Sequence, residues 1–217
     1  MAIKYRQALG AAIELLRDPF DFPPAVRLCD AMADFWLVKR LYARILDGLP
    51  AEVAAHLYEL TLRPIDLDAL ARMPEATFGR RYAAFLAAHK VSASAQVDAF
   101  PEIAKTFERH WILRRFARIH DMHHALLGFG VDAHGEMGLQ MFNLRNFGEP
   151  YGALAMASFP VTALKYGEPR RMLREIAKGW TMGGRAANLF VVPFEDRFDA
   201  DFAELRRELG LAENEPR

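Results

Sequence analysis

Apolar residues recur along the chain at spacings of three and four, and alternating segments joined by Asn-Gly or Asp-Gly turns are absent. The pattern predicts an all-α protein. The first amphipathic stretch runs from about Tyr5 to Arg17 and is expected to stop before Pro19, which removes a donor and disfavours helix in the residue before it. After Pro23 and Pro24 a second stripe, Leu28, Met32, Phe35, Trp36, Val38, Leu41 and Ile45, leads to a stop at Gly48. Pro50 opens a third with Val53, Leu57 and Leu60. Beyond Pro64 and Pro74, Glu75 or Thr77 starts a helix bearing Phe78, Tyr82 and Phe85.

A long helix from about Pro101 carries Ile103, Phe107, Trp111, Phe116 and Ile119 and ends near Gly128 and Gly130. Asp132 suits the N-cap of the next, which Gly148 ends ahead of Pro150. A small-residue helix with Ala153, Ala155, Ala157 and Ser158 follows, then one from about Glu168 to Val192 with Gly179, Gly183 and Gly184 inside it. Each interior glycine costs about 1 kcal/mol relative to alanine, so a close helix contact, a kink or a ligand should explain them. A helix from Arg197 to Leu211 closes the chain, with a frayed end. No repeat or linker interrupts the series, so residues 1–217 are expected to form one domain, a bundle of about eight to ten helices.

With 52% hydrophobic residues the chain can bury one sizeable core. Lys plus Arg equals Asp plus Glu at 28 each, which argues against nucleic acid as a partner. Cys29 stands alone, so no internal disulfide forms, and a reducing compartment fits. The amino-terminal stretch lacks a secretory pattern, and Glu14, Asp18 and Asp21 disfavour a transit peptide; the chain reads as bacterial or already mature. The longest run without Asp, Glu, Lys or Arg, residues 150–164, is shorter than the ~20 residues that span a bilayer and contains Pro160. No membrane-crossing helix is expected.

One stretch concentrates chemistry: HDMHHALLGFGVDAHGE, residues 120–136. His120, His123, His124 and His134, four of the seven histidines, fall within 15 residues, where an even spread would place about 0.5. On a helix His120 and His124 lie about 40° apart and Asp121 about 60° beyond His124, so the three share a face. Two histidines at i and i+4 are the device by which one helix aims two imidazole nitrogens at a cation. Glu136, in the first turn of the following helix, can add a carboxylate. The arc of His120, His123 and His124 fits as well, and spacing does not choose between Asp121 and His123. His134 points elsewhere.

The same stretch resembles the HDxxH, eleven residues, Glu signature of the coenzyme Q biosynthesis protein 4 family, matched here by His120, Asp121, His124 and Glu136. LRPIDLDALARMPEATFGRRYAAFL and AANLFVVPFEDRFDADFAELRRELG resemble further family segments, so the likeness runs over residues 60–211. Gln140 and Asn143 stand where many members carry Lys and Glu, and FEDRF stands where EERW is common. The resemblance implies a bacterial member of an all-helical family, and selects His120, Asp121, His124 and Glu136 as ligands of a divalent metal, zinc first and iron second. It further implies a prenylated lipid or ubiquinone precursor in an apolar cavity, a place in the cytoplasm against the inner face of the membrane, contact with other ubiquinone biosynthesis enzymes, and a homodimer.

The activity it implies is oxidative decarboxylation, in which the ring carboxyl of a polyprenyl hydroxybenzoate is replaced by a hydroxyl. Residues 150–164 with Trp180, Met182 and Phe190 are candidates for lining a tunnel. Arg145, Arg170 and Arg171 are candidates for meeting a carboxylate or phosphate, although such basic residues more often form a solvated face. Glu195, Asp196 and Arg197 read as capping and ion-pairing residues. A lipid-binding scaffold with a structural metal is the alternative, and a metal-dependent hydrolase lacks the general-base Glu of HExxH at the position of Asp121.

Overall fold

Helical periodicity becomes helix throughout: the computed structural model describes residues 4–18, 21–32, 35–90 and 110–211, and among them lie twelve α-helices, two 3₁₀ turns and no strand. Twelve exceeds the expected eight to ten because several stripes divide. Helix α1 spans Tyr5–Arg17 as expected. The second stripe splits into α2, Phe22–Met32, and α3, Trp36–Ile45, because Phe35 is extended (ψ 130°) and starts a new helix. Pro23 and Pro24 lie inside the first turn of α2, where no intrahelical N–H is needed. Then come α4, Ala51–Leu62, the short α5, Leu67–Ala71, capped by Asp66, and α6, Phe78–His89, capped by Thr77.

Helix α7, Trp111–Leu127, carries the histidines and ends at Gly128 in the left-handed conformation (φ 72°). Ile103 and Phe107, assigned to its beginning, lie outside the described residues. Helix α8, Ala133–Phe147, is capped by the Asp132 side chain and closed by Gly148. The small-residue stretch becomes α9, Pro150–Ala157, and α10, Phe159–Tyr166, with Pro160 seated in the first turn of the second. Helix α11, Pro169–Arg185, stops well before Val192, and α12, Phe202–Glu208, begins later than Arg197 because Asp201 is its cap. Short 3₁₀ turns at Leu189–Val191 and Phe194–Asp196 fill the space between them.

Asn146 explains the early end of α11. Its side-chain amide donates to the carbonyls of Gly183, Ala186 and Ala187 at 3.1, 3.2 and 2.9 Å and accepts from the Leu189 N–H at 2.8 Å. One side chain of α8 thus satisfies carbonyls that a continuing helix would have bonded. Helix α8 is buried over most of its surface, with Met137, Leu139, Met141 and Phe142 at most 3% exposed. The main core gathers around it from α6, α7 and the 3₁₀ turns, including Phe78, Tyr82, Met122, Leu126, Phe190 and Phe194. An ion pair lies inside: Arg115 Nη1 meets both oxygens of Glu195 at 2.8 and 2.9 Å, and Arg115 Nη2 donates to the Val192 carbonyl. A buried charge needs such a partner, and the pair fastens α7 to the second 3₁₀ turn.

The interior glycines of α11 allow close helix contact. A β-carbon at Gly179 would stand 2.0 Å from the Gly138 carbonyl oxygen, and one at Gly183 would stand 2.7 Å from that of Phe142. At Gly184 the nearest atom is the Arg145 Nε at 3.2 Å, the end of a flexible side chain. Gly179→Ala is therefore expected to destabilise the fold by about 1–3 kcal/mol through overpacking. Gly184→Ala should be near neutral, because alanine's helix propensity offsets a small adjustment. Thermal unfolding followed by circular dichroism distinguishes them; equal midpoints would contradict the contact.

Candidate metal centre

The last turns of α7 and the first turn of α8 face each other across the Gly128–Asp132 turn. His124 Nε2 lies 3.2 Å from His120 Nε2 and 3.0 Å from Glu136 Oε1, and His120 Nε2 lies 3.6 Å from that same oxygen. Three ligand atoms thus form a triangle. Tetrahedral zinc with bonds of about 2.0–2.1 Å sets its ligands about 3.3 Å apart, so edges of this size suit one cation.

The turn itself prepares the site. His124 Nδ1 lies 3.1 Å from the Phe129 carbonyl oxygen, which only accepts, so Nδ1 carries the proton and the Nε2 lone pair faces the triangle. Phe85 stacks on the His124 ring at 5.9 Å. Gly135, beside Glu136, packs directly on the turn: a β-carbon there would lie 2.0 Å from the Gly130 carbonyl oxygen. Sequence reasoning placed Glu136 and missed the parts played by Phe129 and Gly135; the Gly128, Gly130, Gly135 spacing was the available signal.

Charges in this buried corner are strongly coupled. Burial opposes ionisation of His120, yet the negative charge of Glu136, with Asp121 and Glu149 adding, raises it to about 9. Burial likewise works against Glu136, but the two imidazoles hold its carboxyl far below the usual range. Asp121 is held above its ordinary value by burial, against the pull of His120 and His124. It senses the triangle electrostatically but supplies none of the three converging atoms. Glu149, unnoticed in the sequence although it precedes a proline at a helix start, is only 6% exposed and caps α9 through the N–H groups of Tyr151 and Gly152. Burial pushes its carboxyl up to about 7, against those two N–H groups and the charge of His120.

The other singled-out residues separate cleanly. His123 is a core imidazole, its Nδ1 3.2 Å from Asn143 Oδ1 and its ring among Phe142, Phe147 and Phe194; burial lowers it to about 3. Asn143, one of the departures from the family pattern, is thus paired with a histidine outside the triangle. His134 Nε2 meets the Gly167 carbonyl at 3.2 Å. Arg145 lies over the Trp180 ring, Arg171 pairs with Asp132 and Glu168, and Arg170 is exposed. Glu195 meets Arg115 and Arg118, Asp196 meets His56 and Arg63, and Arg197 meets Glu208, the ion-pairing roles expected of them. Trp180 is 50% exposed while Met182 and Phe190 lie in the core, so these three do not share one surface.

Comparison with known proteins gives the setting of this site. The profile of the family described as coenzyme Q (ubiquinone) biosynthesis protein Coq4 matches residues 6–215. The chain belongs to the Coq4 family. It is 29% identical to the mitochondrial ubiquinone biosynthesis protein of Lodderomyces elongisporus, over 96% of this chain and 56% of that one. With the mitochondrial homologue of Danio rerio it shares 25% identity over 95% of this chain and 75% of the relative. The chain thus spans little more than half the length of the fungal Coq4 relative. A solved bacterial chain from Nostoc punctiforme, named for ubiquinone biosynthesis, superposes with a TM-score of 0.75 at 22% identity, covering 98% of this chain and all of that one. That fold is the one described above, and a bacterial origin is consistent with it.

Two outcomes test the geometry. Gly135→Ala should displace Glu136 and weaken zinc binding about 10- to 100-fold, as loss of outer-shell support does; a chelator competition showing unchanged affinity would contradict it. A cation must displace the proton that Glu136 holds on His120, whose pKa is about 9. Zinc uptake at pH 7.5 should therefore release about one proton, and apparent affinity should fall as pH falls below 9. Calorimetry in buffers of different ionisation enthalpy reads this directly, and no proton release would contradict it.

Proposed function

We propose that this member of the Coq4 family binds a divalent metal through His120, His124 and Glu136, with Asp121, which stands outside the triangle but feels the charge of both imidazoles, drawn in as fourth ligand, and carries out a step of ubiquinone biosynthesis: replacement of the ring carboxyl of a polyprenyl hydroxybenzoate by a hydroxyl. The observation that carries the reading is the convergence of two imidazole nitrogens and one carboxylate oxygen within a single cation's reach. A bound metal would supply Lewis-acid polarisation of the ring acid and, if iron rather than zinc, redox chemistry. The conversion releases carbon dioxide and takes up one oxygen atom in a two-electron oxidation, so an external oxidant is required.

The chain's own groups have defined parts. The Phe129 carbonyl keeps the His124 Nε2 lone pair directed at the metal position. Glu149, with a carboxyl pushed up to about 7 by burial and a charge felt by His120, changes protonation near neutral pH and so changes the charge that His120 experiences. The prenyl tail runs among the helices of residues 150–164. The crevice between α1 and α9, lined by Leu15, Leu16, Leu154, Ala155 and Ser158, is about 10 Å³, so a tail there requires these helices to part. Among the described residues no helix is long and apolar enough to cross a membrane. In this reading a lipid substrate is reached by peripheral contact on the cytoplasmic face of the bacterial membrane, with other ubiquinone biosynthesis enzymes and a second copy of the chain as further partners.

The test is complementation. In a strain lacking this protein, His124→Ala and Glu136→Ala variants that stay folded and lack metal should fail to restore ubiquinone, with elemental analysis of the purified proteins as the parallel readout. Restored ubiquinone without metal would sink the reading. Purified metal-loaded protein that makes no product, together with dispersal of partner enzymes when the protein is lost, would favour the lipid-binding scaffold instead.

A further inference from the structure

Helix α1 turns a second apolar face to solvent. Ala8, Ala11 and Leu15 are buried, yet Tyr5, Leu9, Ile13 and Leu16 are 73, 65, 44 and 51% exposed. At about 100° per residue these four fall within an arc of about 80°, roughly 130° around the helix from the buried face. They form a continuous stripe, not scattered apolar residues. Arg6 and Arg17 are exposed and lie about 20–40° beyond the stripe's edge, both on the same side.

The charge pattern identifies the partner. Glu14 pairs with Arg27, and Asp18, the residue closing α1, pairs with Lys165. Lys4 is committed to Asp30. Arg6 and Arg17 make no ion pair among the described residues, so the uncompensated charge bordering the stripe is positive. An apolar stripe with arginines along its rim suits a bilayer interface: the stripe enters the acyl boundary while the guanidinium groups reach anionic headgroups. An antiparallel second copy of this helix, stripe against stripe, would bring the two arginine rims together. Asp18 and Lys165 also tie α1 to α10, where Leu164 is 89% exposed.

We propose that α1 is the docking helix of this protein for an anionic bilayer, seated through Tyr5, Leu9, Ile13 and Leu16 and held by Arg6 and Arg17. The inference rests on the lipid-handling part of the proposed function and is independent of the metal.

The experiment is co-sedimentation of the full-length protein with phosphatidylcholine vesicles with and without phosphatidylglycerol. Wild type should bind the anionic vesicles and lose binding at high salt. Leu9→Ser with Ile13→Ser should lower partitioning at least about tenfold. Arg6→Gln with Arg17→Gln alters only exposed side chains, and should lower it about tenfold while leaving thermal melting and zinc content unchanged. If the apolar variant fails to fold, the arginine variant alone decides. Wild-type binding by the arginine variant, or no binding by wild type, overturns the proposal. So does a Leu9→Ser with Ile13→Ser protein that loses a dimer in sedimentation velocity yet binds vesicles normally. His124→Ala should lose metal and still bind vesicles, which separates failure of the docking from failure of the metal reading.

Discussion

The candidate site depends on a contact between two stretches of backbone. Gly135 has no space for a β-carbon, because the Gly130 carbonyl oxygen would lie 2.0 Å from it. This lets the first turn of α8 close against the turn leaving α7, and Glu136 therefore meets two imidazoles from the preceding helix. The same turn supplies the Phe129 carbonyl that fixes the tautomer of His124. A few residues thus set both the approach of Glu136 to the two imidazoles and the direction of the His124 lone pair, two properties a cation requires.

The second constraint holds α8 in place. Gly138 and Gly179 bring the backbones of α8 and α11 together without side chains between them, and Asn146 ends α11 where the 3₁₀ turns begin. Those turns carry Glu195 inward to Arg115, on the helix that also holds the histidines. Close packing and an amide cap therefore hold α8 against α11, and a buried ion pair holds α7 to the second 3₁₀ turn. Rigid elements of this kind position ligands more accurately than loops do.

How much of this was legible in the sequence follows from the range of each signal. Local signals held: the limits of α1, the Asp132 and Thr77 caps, and the glycines that close α7 and α8 follow from the residues themselves. Divisions made by tertiary contact did not, as with α11, which stops because a side chain from α8 replaces its next hydrogen bonds. At the site, spacing paired His120 with His124, and family likeness added Glu136 and Asp121. The structure brings the ligand atoms of His120, His124 and Glu136 within 4.8 Å of one another, with Asp121 outside that set but under the charge of His120 and His124. Spacing alone could not separate Asp121 from His123. Burial does, since His123 sits among three phenylalanine rings with Asn143 as its partner. Glu149 was hidden because its charge interaction with His120 is made by packing between different helices, which local spacing does not encode.

The central claim is that His120, His124 and Glu136 hold one divalent cation. X-ray absorption at the metal edge of the purified protein tests it most directly. The account predicts a first shell of nitrogen and oxygen with the outer-shell scattering of two imidazoles, reduced to one in His124→Ala. A sulfur shell, or a spectrum unchanged in that variant, would contradict it.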